Sequence, residues 1–195
     1  TQRASELIQS FKQIAVDQSS QIQREFALCE YLKEVLHSLN PKIKVTPIKV
    51  KFHCACRINM NSYPGALSQV ITNLVLNAIL HAYEKEQEGT INISVKDMGS
   101  NVEIRVEDDG MGIPPTTLSK IFDPFFTTKQ GKGGTGLGLA IVKQLCTLMG
   151  GDVNVVSSYG EGSTFNFSIK VKFDYQKQLH EPSHLIDKKR ILIAD

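Results

Sequence analysis

Residues 108–139, DDGMGIPPTTLSKIFDPFFTTKQGKGGTGLGL, decide the fold of this chain of 195 amino acids. The stretch opens with an acid-glycine turn, Asp108–Gly112, and closes with a run of glycines from Gly131 to Gly138. A carboxylate at the end of a strand can accept a hydrogen bond from the amino group of adenine. Backbone amides in a glycine run that leads into a helix can surround the oxygens of a phosphate group. The stretch therefore predicts a site for an adenine nucleotide.

A pair of asparagines on a predicted upstream helix supplies a second part of this site. Asn73 and Asn77 are one helical turn apart, so their side chains share a face of the helix. A side-chain carbonyl oxygen is a suitable ligand for Mg²⁺, whose other ligands are usually water and phosphate oxygens. Each feature alone has an ordinary explanation, such as a β-turn, a hinge or helix packing. Their combination predicts a phosphotransfer module that binds ATP with Mg²⁺.

Composition and charge argue against several other classes of function. Hydrophobic residues make up 41% of the chain, which is enough for a folded core. The net charge of +2 and the lack of lysine-arginine blocks argue against a nucleic-acid partner. The longest apolar stretch, Val70–Leu80, is too short to span a bilayer. The cysteines lack the spacing of a metal site and are expected to be thiols in a reducing cytoplasm.

Hydrophobic periodicity predicts helices mixed with hairpin-linked strands. The predicted helices are an N-terminal segment with an apolar face over 7–15, a second helix over 32–39 that Asn40-Pro41 closes, Pro64–Lys85, and Leu137–Met149. The predicted strands are Ile48–Ile58, Thr90–Lys96, Val102–Glu107, Asp152–Ser157 and Ser163–Val171. This order predicts a two-layer α/β sandwich with a mixed sheet, preceded by a helical segment.

The same patterns divide the chain into four parts. Residues 1–40 form the helical segment, and residues 41–173 form the nucleotide-binding domain. The polar stretch 174–187 is interpreted as a linker. Residues 188–195 read KKRILIAD, which is typical of the first buried strand of a further domain.

In type and order, these elements resemble the ATP-binding domain of sensor histidine kinases. That domain belongs to the GHKL superfamily, which includes type II topoisomerases, mutL-type repair proteins and the large heat-shock chaperone. The resemblance rests on an asparagine box at Asn73–Ala78, a first glycine box at Asp108–Gly112, a phenylalanine box at Phe122–Lys129, a second glycine box at Gly134–Leu139, and a last G-x-G-[ST]-x-F element at Gly160–Phe165. It covers 62–171 and is specific because all the boxes occur in order.

The resemblance implies a Bergerat-type ATP-binding fold, in which five mixed strands lie under three helices and ATP lies between helices and a mobile lid. It implies that Asp108 recognises adenine with help from Thr164, that Asn77 binds Mg²⁺, and that Asn73 and residues Gly134–Leu139 hold the phosphates. The implied ATP-binding residues are Asn73, Asn77, His81, Asp108, Gly110, Gly112, Ile113, Phe122, Lys129, Gly134, Thr135, Gly136, Leu137, Gly138, Leu139 and Thr164. Leu80 departs from the family, which often has a lysine there, so a phosphate contact from that region would come from His81 or Lys129, or be missing.

The residue one helical turn before Asn77 distinguishes members of this superfamily. In the ATPases, and in relatives that phosphorylate serine, a glutamate there acts as a general base, but Asn73 cannot accept a proton. A neutral imidazole needs no such base, so Asn73 favours transfer of the γ-phosphoryl group of ATP to a histidine. Two alternatives remain: an anti-sigma-factor serine kinase, which His81–Glu84 also resembles, and a degenerate nucleotide-binding module that only scaffolds or senses, which Leu80 supports.

The flanks of the predicted domain resemble neighbouring parts of a hybrid histidine kinase. Residues 4–16 are similar to the second helix of the dimerising, histidine-bearing hairpin, and 189–195 to the first strand of a receiver domain. The chain's own histidines lack the acceptor context; they are His37, His53, His81, His180 and His184. The phosphoacceptor is therefore expected outside this chain, which should bind ATP without autophosphorylating. The resemblance implies a homodimeric, cytoplasmic kinase that an N-terminal sensor region can tether to the membrane.

Overall fold

The fold is built around a mixed β-sheet. This computed structural model describes residues 22–54, 58–84, 86–128 and 136–170. The strands are β1 (Arg24–Ala27), β2 (Ile48–Cys54), β3 (Asn59–Ser62), β4 (Gly89–Asp97), β5 (Asn101–Asp108), β6 (Val153–Ser158) and β7 (Gly162–Lys170). Five of them form a sheet in the order β2-β4-β5-β7-β6, in which β2 and β4 are parallel and the other neighbours are antiparallel. The predicted mixed sheet is therefore confirmed.

Alternation along the strands separates the two faces of this sheet. On β5, Val102, Ile104 and Val106 are buried, whereas Arg105 and Glu107 are exposed. Successive side chains of a strand point to opposite faces, so the apolar set faces the helices and the polar set faces solvent. This pattern fixes the register, since a shift of one residue would turn the charged side chains into the core.

Helices cover the apolar face of the sheet. They are α1 (Leu28–Ile43), α2 (Pro64–Asn77), a π-helical turn (Ala78–Ala82) that continues α2, α3 (Pro115–Leu118) and α4 (Gly138–Leu148). The combined helix Pro64–Ala82 meets the length and hydropathy expected of a membrane span, but 56% of it is buried inside this domain and it packs against α4. We therefore describe it as a core helix.

The N-terminal part of the fold differs from the prediction in two ways. β1 and β3 were not predicted; they pair with each other in a separate antiparallel two-stranded sheet. The second predicted helix does not end at Asn40-Pro41, because α1 continues to Ile43. Pro41 lies in the last turn, where its missing N–H removes a single helical hydrogen bond, so the helix tolerates it.

The expectation that the cysteines are all thiols is wrong for one pair. Cys29 at the start of α1 and Cys54 at the end of β2 form a disulfide, with their Cα atoms 6.0 Å apart. No local sequence pattern indicates this pairing, because it depends on the packing of α1 against β2. Cys146 is a buried free thiol.

Several predicted parts of the chain lie outside the described residues. These are residues 1–21, which make up about half of the predicted helical segment 1–40, and residues 171–195, which include the linker 174–187 and the strand 188–195. These assignments stay predictions.

Candidate nucleotide-binding site

The acid-glycine turn begins where β5 ends. Asp108 is the last residue of β5 and is buried, with an exposed fraction of 7%. Its Oδ1 accepts a hydrogen bond from the backbone N–H of Gly110 at 3.1 Å. Burial raises the pKa of the Asp108 carboxyl above its ordinary value, although the backbone N–H groups of Gly110 and Ser163 partly oppose this shift. Within the described residues no cation pairs with this carboxylate.

The glycines of this turn allow close backbone contacts on two sides. A Cβ atom on Gly110 would overlap the carbonyl group of Ala82, and the N–H of Met111 donates to that same carbonyl at 2.7 Å. Gly112 has φ +67°, and a Cβ atom there would overlap the carbonyl oxygen of Ser158. The turn is therefore held between the end of the Asn73–Asn77 helix and the end of β6.

Gly112→Ala is expected to destabilise the domain by about 2 kcal/mol or more, since it combines a left-handed φ with overpacking. Gly99→Ala is a matched control, because Gly99 has φ +81° but has no atom within 4 Å of an added Cβ. Urea unfolding gives the loss in free energy of unfolding for each variant. The difference between the two losses is the part due to the steric overlap with Ser158, because both variants share the cost of a positive φ. Equal losses in the two variants would mean that the Gly112 turn can move away from Ser158 at no cost.

Ser163, and not Thr164, shares the sheet face of Asp108. Ser163 stands opposite Asp108 in the pairing of β5 with β7, whereas Thr164 stands opposite Glu107, which is exposed on the outer face. The expected role of Thr164 at the adenine end is therefore wrong, since its side chain points away from this site. The G-x-G-[ST]-x-F pattern carried the correct signal, because its Ser/Thr position directly follows Gly162 and is Ser163.

Ser157 is a further residue that the sequence analysis missed. Its Oγ accepts from the N–H of Ile113 at 2.8 Å and donates to the carbonyl oxygen of Gly162 at 2.9 Å. It also lies 3.0 Å from Oγ of Ser163. One hydroxyl thus joins the first glycine box to the β6–β7 turn.

The two asparagines meet the beginning of α4. Asn73 donates from Nδ2 to the carbonyl oxygen of Gly138 at 3.2 Å. A Cβ atom placed on Gly138 would lie 3.6 Å from both Nδ2 and Oδ1 of Asn77. The shared face predicted for this pair is therefore confirmed, and glycine at position 138 leaves room beside the Asn77 amide.

The π-helical turn extends this helix towards the end of the phenylalanine box. His81 is half-buried, and its Nδ1 lies 3.5 Å from Oγ1 of Thr128. Leu80 is 46% exposed at the position where the family often has a lysine. Of the two residues, His81 therefore offers the polar contact, and π-helical turns are frequent at functional sites.

Gly136 lies against the backbone of Phe125 in the phenylalanine box. Phe125 has φ +67°, an uncommon conformation for a bulky residue, and is 72% exposed. A Cβ atom on Gly136 would overlap the backbone of Phe125. Phe122 is partly buried under Lys143, whose Nζ lies 5.9 Å from the ring centroid.

The remaining predicted site residues fall into two groups. Ile113, Leu137 and Leu139 are partly buried around the same helix start and turn. Lys129, Gly134 and Thr135 lie outside the described residues, so their roles stay predictions.

Two parts of the predicted nucleotide site lie within the described residues. Asp108 supplies a buried acceptor, and the Asn77 amide lies beside the first turn of α4, whose backbone N–H groups suit an anion. No cluster of three or more His, Cys, Asp or Glu is present among the described residues. The site thus defines a nucleotide-binding domain of the α/β-sandwich class.

The comparisons with known proteins agree with this class. The family described as histidine kinase-, DNA gyrase B-, and HSP90-like ATPase matches residues 63–173. The catalytic domain of histidine kinase ThkA has a TM-score of 0.68 and 33% identity, over 77% of this chain and 96% of that one. The chain therefore belongs to this ATPase family, and within it to the histidine kinase catalytic domains.

Curated relatives extend well beyond the matched region. Sensor histidine kinase ZraS of Escherichia coli (strain K12) is 44% identical over 108 residues, which are 55% of this chain and 22% of ZraS. Sensor histidine kinase RcsC of Salmonella typhimurium is 35% identical over 170 residues, which are 83% of this chain and 17% of RcsC. The chain thus corresponds to about a fifth of the length of these relatives.

Proposed function

We propose that this domain binds ATP with Mg²⁺ and transfers the γ-phosphoryl group to a histidine on an upstream helical hairpin of a sensor histidine kinase. Membership of the ATPase family supports ATP as the nucleotide, and the buried acceptor at Asp108 supports recognition of its adenine. One contact, between Asn73 and Gly138, supports histidine over water or serine as the acceptor.

Asn73 acts as a hydrogen-bond donor where other members of the superfamily have a base. Its Nδ2 donates to the carbonyl oxygen of Gly138 at 3.2 Å. A carboxylate has no donor and would repel this carbonyl oxygen, so a glutamate could not make the same contact. An acceptor that needs no base here, such as the nitrogen of a neutral imidazole, therefore fits this site better than water or a serine hydroxyl does.

The phosphate end of the nucleotide would be held by the helix start and the asparagine pair. Asn77 would ligate Mg²⁺, which when bound neutralises phosphate charge and helps to align the transferring group. The first backbone N–H groups of α4 would donate to phosphate oxygens, and His81 would replace the usual lysine at this end. Transfer would then depend on positioning and charge neutralisation by these groups.

The partners and location follow from the likeness to sensor kinases. The histidine-bearing hairpin would also form the homodimer, and a receiver domain would accept the phosphoryl group from the histidine. Residues 4–16 and 189–195 support these partners by their sequence alone. We place the domain on the cytoplasmic side of the membrane, because that is where ATP is available to a membrane-tethered sensor kinase.

Phosphoryl transfer is tested by the acid and alkali stability of the labelled product. A longer protein that includes the upstream hairpin is incubated with γ-labelled ATP and Mg²⁺, beside the present chain as a control. The longer protein should gain label that is lost in acid and retained in alkali, as phosphohistidine is. The present chain should bind ATP and remain unlabelled.

Two other outcomes would overturn the proposal in different ways. Label that survives acid would identify a serine kinase, the class that His81–Glu84 resembles. Bound ATP with no label in the longer protein would identify a module that senses nucleotide.

A further inference from the structure

The hydroxyl of Tyr83 contacts the acid-glycine turn from outside the family's boxes. Tyr83 directly follows the π-helical turn and is buried, with an exposed fraction of 5%. Its Oη donates to Oδ1 of Asp109 at 2.9 Å and lies 3.0 Å from the carbonyl oxygen of Thr90. Asp109 is the neighbour of Asp108, so this contact lies one residue from the proposed adenine-binding carboxylate.

Asp109 extends the pairing of β4 and β5 beyond its last regular residue. The regular ladder ends at the pair of Ile91 with Asp108. Beyond it, Oδ1 of Asp109 accepts from the N–H of Thr90 at 2.7 Å, and the Asp109 N–H lies 3.4 Å from the carbonyl oxygen of Thr90. These contacts keep the chain in strand geometry through Asp108, which fixes the face to which the Asp108 carboxyl points.

The ring of Tyr83 is held against the start of β4. A Cβ atom on Gly89 would overlap this ring, so the strand approaches the tyrosine as closely as a glycine allows. On the other side, the carbonyl oxygen of Ala82, next to Tyr83, accepts the N–H of Met111 at 2.7 Å. The helix that carries Asn77 is thus joined to both ends of the Asp108–Gly112 turn.

We propose that Tyr83 is a positioning residue for adenine recognition: through Asp109 it holds Asp108 in register with the helix that carries Asn77. This inference rests on the proposed ATP-binding function and adds a residue to it. Tyr83 itself need not touch the nucleotide. Burial, followed by its contact with Asp109, raises the pKa of Tyr83, so the hydroxyl stays protonated and remains a donor.

The test compares ATP with purine riboside triphosphate, which lacks the 6-amino group that Asp108 would bind. The ratio of the two affinities measures the Asp108 contact alone. Tyr83→Phe removes only the hydroxyl, and we expect it to lower this ratio about fivefold. This is the scale expected when one hydrogen bond to a charged group is lost and the remaining contacts partly compensate for the loss. Calorimetric titration of each nucleotide into the protein gives both affinities.

Tyr31→Phe is the matched control. Tyr31 is 4% exposed, and its hydroxyl donates to the carbonyl oxygen of Pro64 at 3.0 Å, at the opposite end of α2 from Tyr83. It should lose thermal stability much as Tyr83→Phe does and leave the affinity ratio unchanged. Asp109→Ala should lower the ratio, and adding Tyr83→Phe to it should lower it no further, because both changes remove the same contact.

The outcomes separate this inference from the proposed function. If the unaltered protein binds no ATP, the proposed function fails. If it binds ATP and prefers it over purine riboside triphosphate, but Tyr83→Phe behaves as Tyr31→Phe does, the positioning role of Tyr83 is wrong and the function stands. Additive losses from Tyr83→Phe and Asp109→Ala would also overturn the positioning role.

Discussion

Asp108→Asn is expected to weaken ATP binding at least about 100-fold, and at the same time to raise the free energy of unfolding. An asparagine can still accept the Gly110 N–H through Oδ1, which leaves its Nδ2 to face the nucleotide. The Nδ2 group would then meet the 6-amino group of adenine, and both are donors. The preference for ATP over purine riboside triphosphate should therefore disappear in this variant.

The gain in stability follows from the cost of the buried charge. Because burial raises the pKa of Asp108 in the folded state, the folded protein binds this proton more tightly than the unfolded chain does. The stabilisation that this protonation gives the folded protein is fully present below the pKa that Asp108 has in the unfolded chain. It is lost as the pH rises through the pKa that Asp108 has in the folded protein. Asp108→Asn should therefore be more stable than the unaltered protein at neutral pH, and the difference should shrink in acid.

Urea unfolding at several pH values, together with nucleotide titration, checks both parts of this prediction. Glu107→Gln is a suitable control, because Glu107 is the adjacent acid on the exposed face of β5. It should leave ATP affinity unchanged and should alter the pH dependence of stability much less than Asp108→Asn does, because the Glu107 charge is only a minor cause of the raised pKa of Asp108. Unchanged ATP affinity in Asp108→Asn would remove Asp108 from adenine recognition.

Asn77→Ala is expected to remove the part of ATP binding that depends on Mg²⁺. The Asn77 amide lies beside Gly138 at the start of α4, where the proposed metal would bridge to the phosphates. We expect a loss of at least about tenfold in the presence of Mg²⁺, the usual scale for one metal contact. ATP affinity in the presence of EDTA should not change.

Asn73→Ala provides the contrast, since Asn73 holds the helix start through its bond to Gly138. Its loss should weaken ATP binding with and without Mg²⁺, because the phosphate-binding end of α4 is no longer fixed. ATP titrations of both variants in Mg²⁺ and in EDTA give this comparison. If Asn77→Ala weakens binding equally under the two conditions, Asn77 is a packing residue and the metal has another ligand.

Local sequence patterns were sufficient to predict most of the fold. The hairpin of β4 and β5 was predicted from its alternation and its turn at Met98–Asn101, and the structure has Gly89–Asp97 and Asn101–Asp108. The helix predicted over Leu137–Met149 is Gly138–Leu148. These elements are long and periodic, so their type could be predicted without knowledge of their partners.

The elements that were missed depend on contacts between distant residues. β1 spans four residues and is defined by its pairing with β3, which the sequence of neither strand indicates. Pairing of Cys29 with Cys54 likewise requires that α1 and β2 already be packed together. Such features arise from tertiary packing, which local patterns cannot report.

The candidate site shows the same division. The sequence patterns predicted that Asn73 and Asn77 share a face and that Asp108 follows a strand, and the structure has both features. The roles of these residues towards a nucleotide stay predictions. Thr164 was chosen in place of its neighbour Ser163. Because successive side chains of a strand point to opposite faces, this error of one residue placed the predicted side chain on the wrong face of the sheet. Ser157 and Tyr83 act through hydrogen bonds to the boxes and carry no pattern of their own.

The place of β7 in the sheet has a consequence for the order of folding. β7 is the last strand in sequence among those described, yet it lies between β5 and β6 and covers an edge of each. During synthesis from the N-terminus, that edge of β5 stays unpaired until β7 has left the ribosome, and pairing between such distant segments is slow. Ser163 reaches Asp108 only with this strand. The nucleotide site would thus be completed only after β7 has been translated and has paired between β5 and β6.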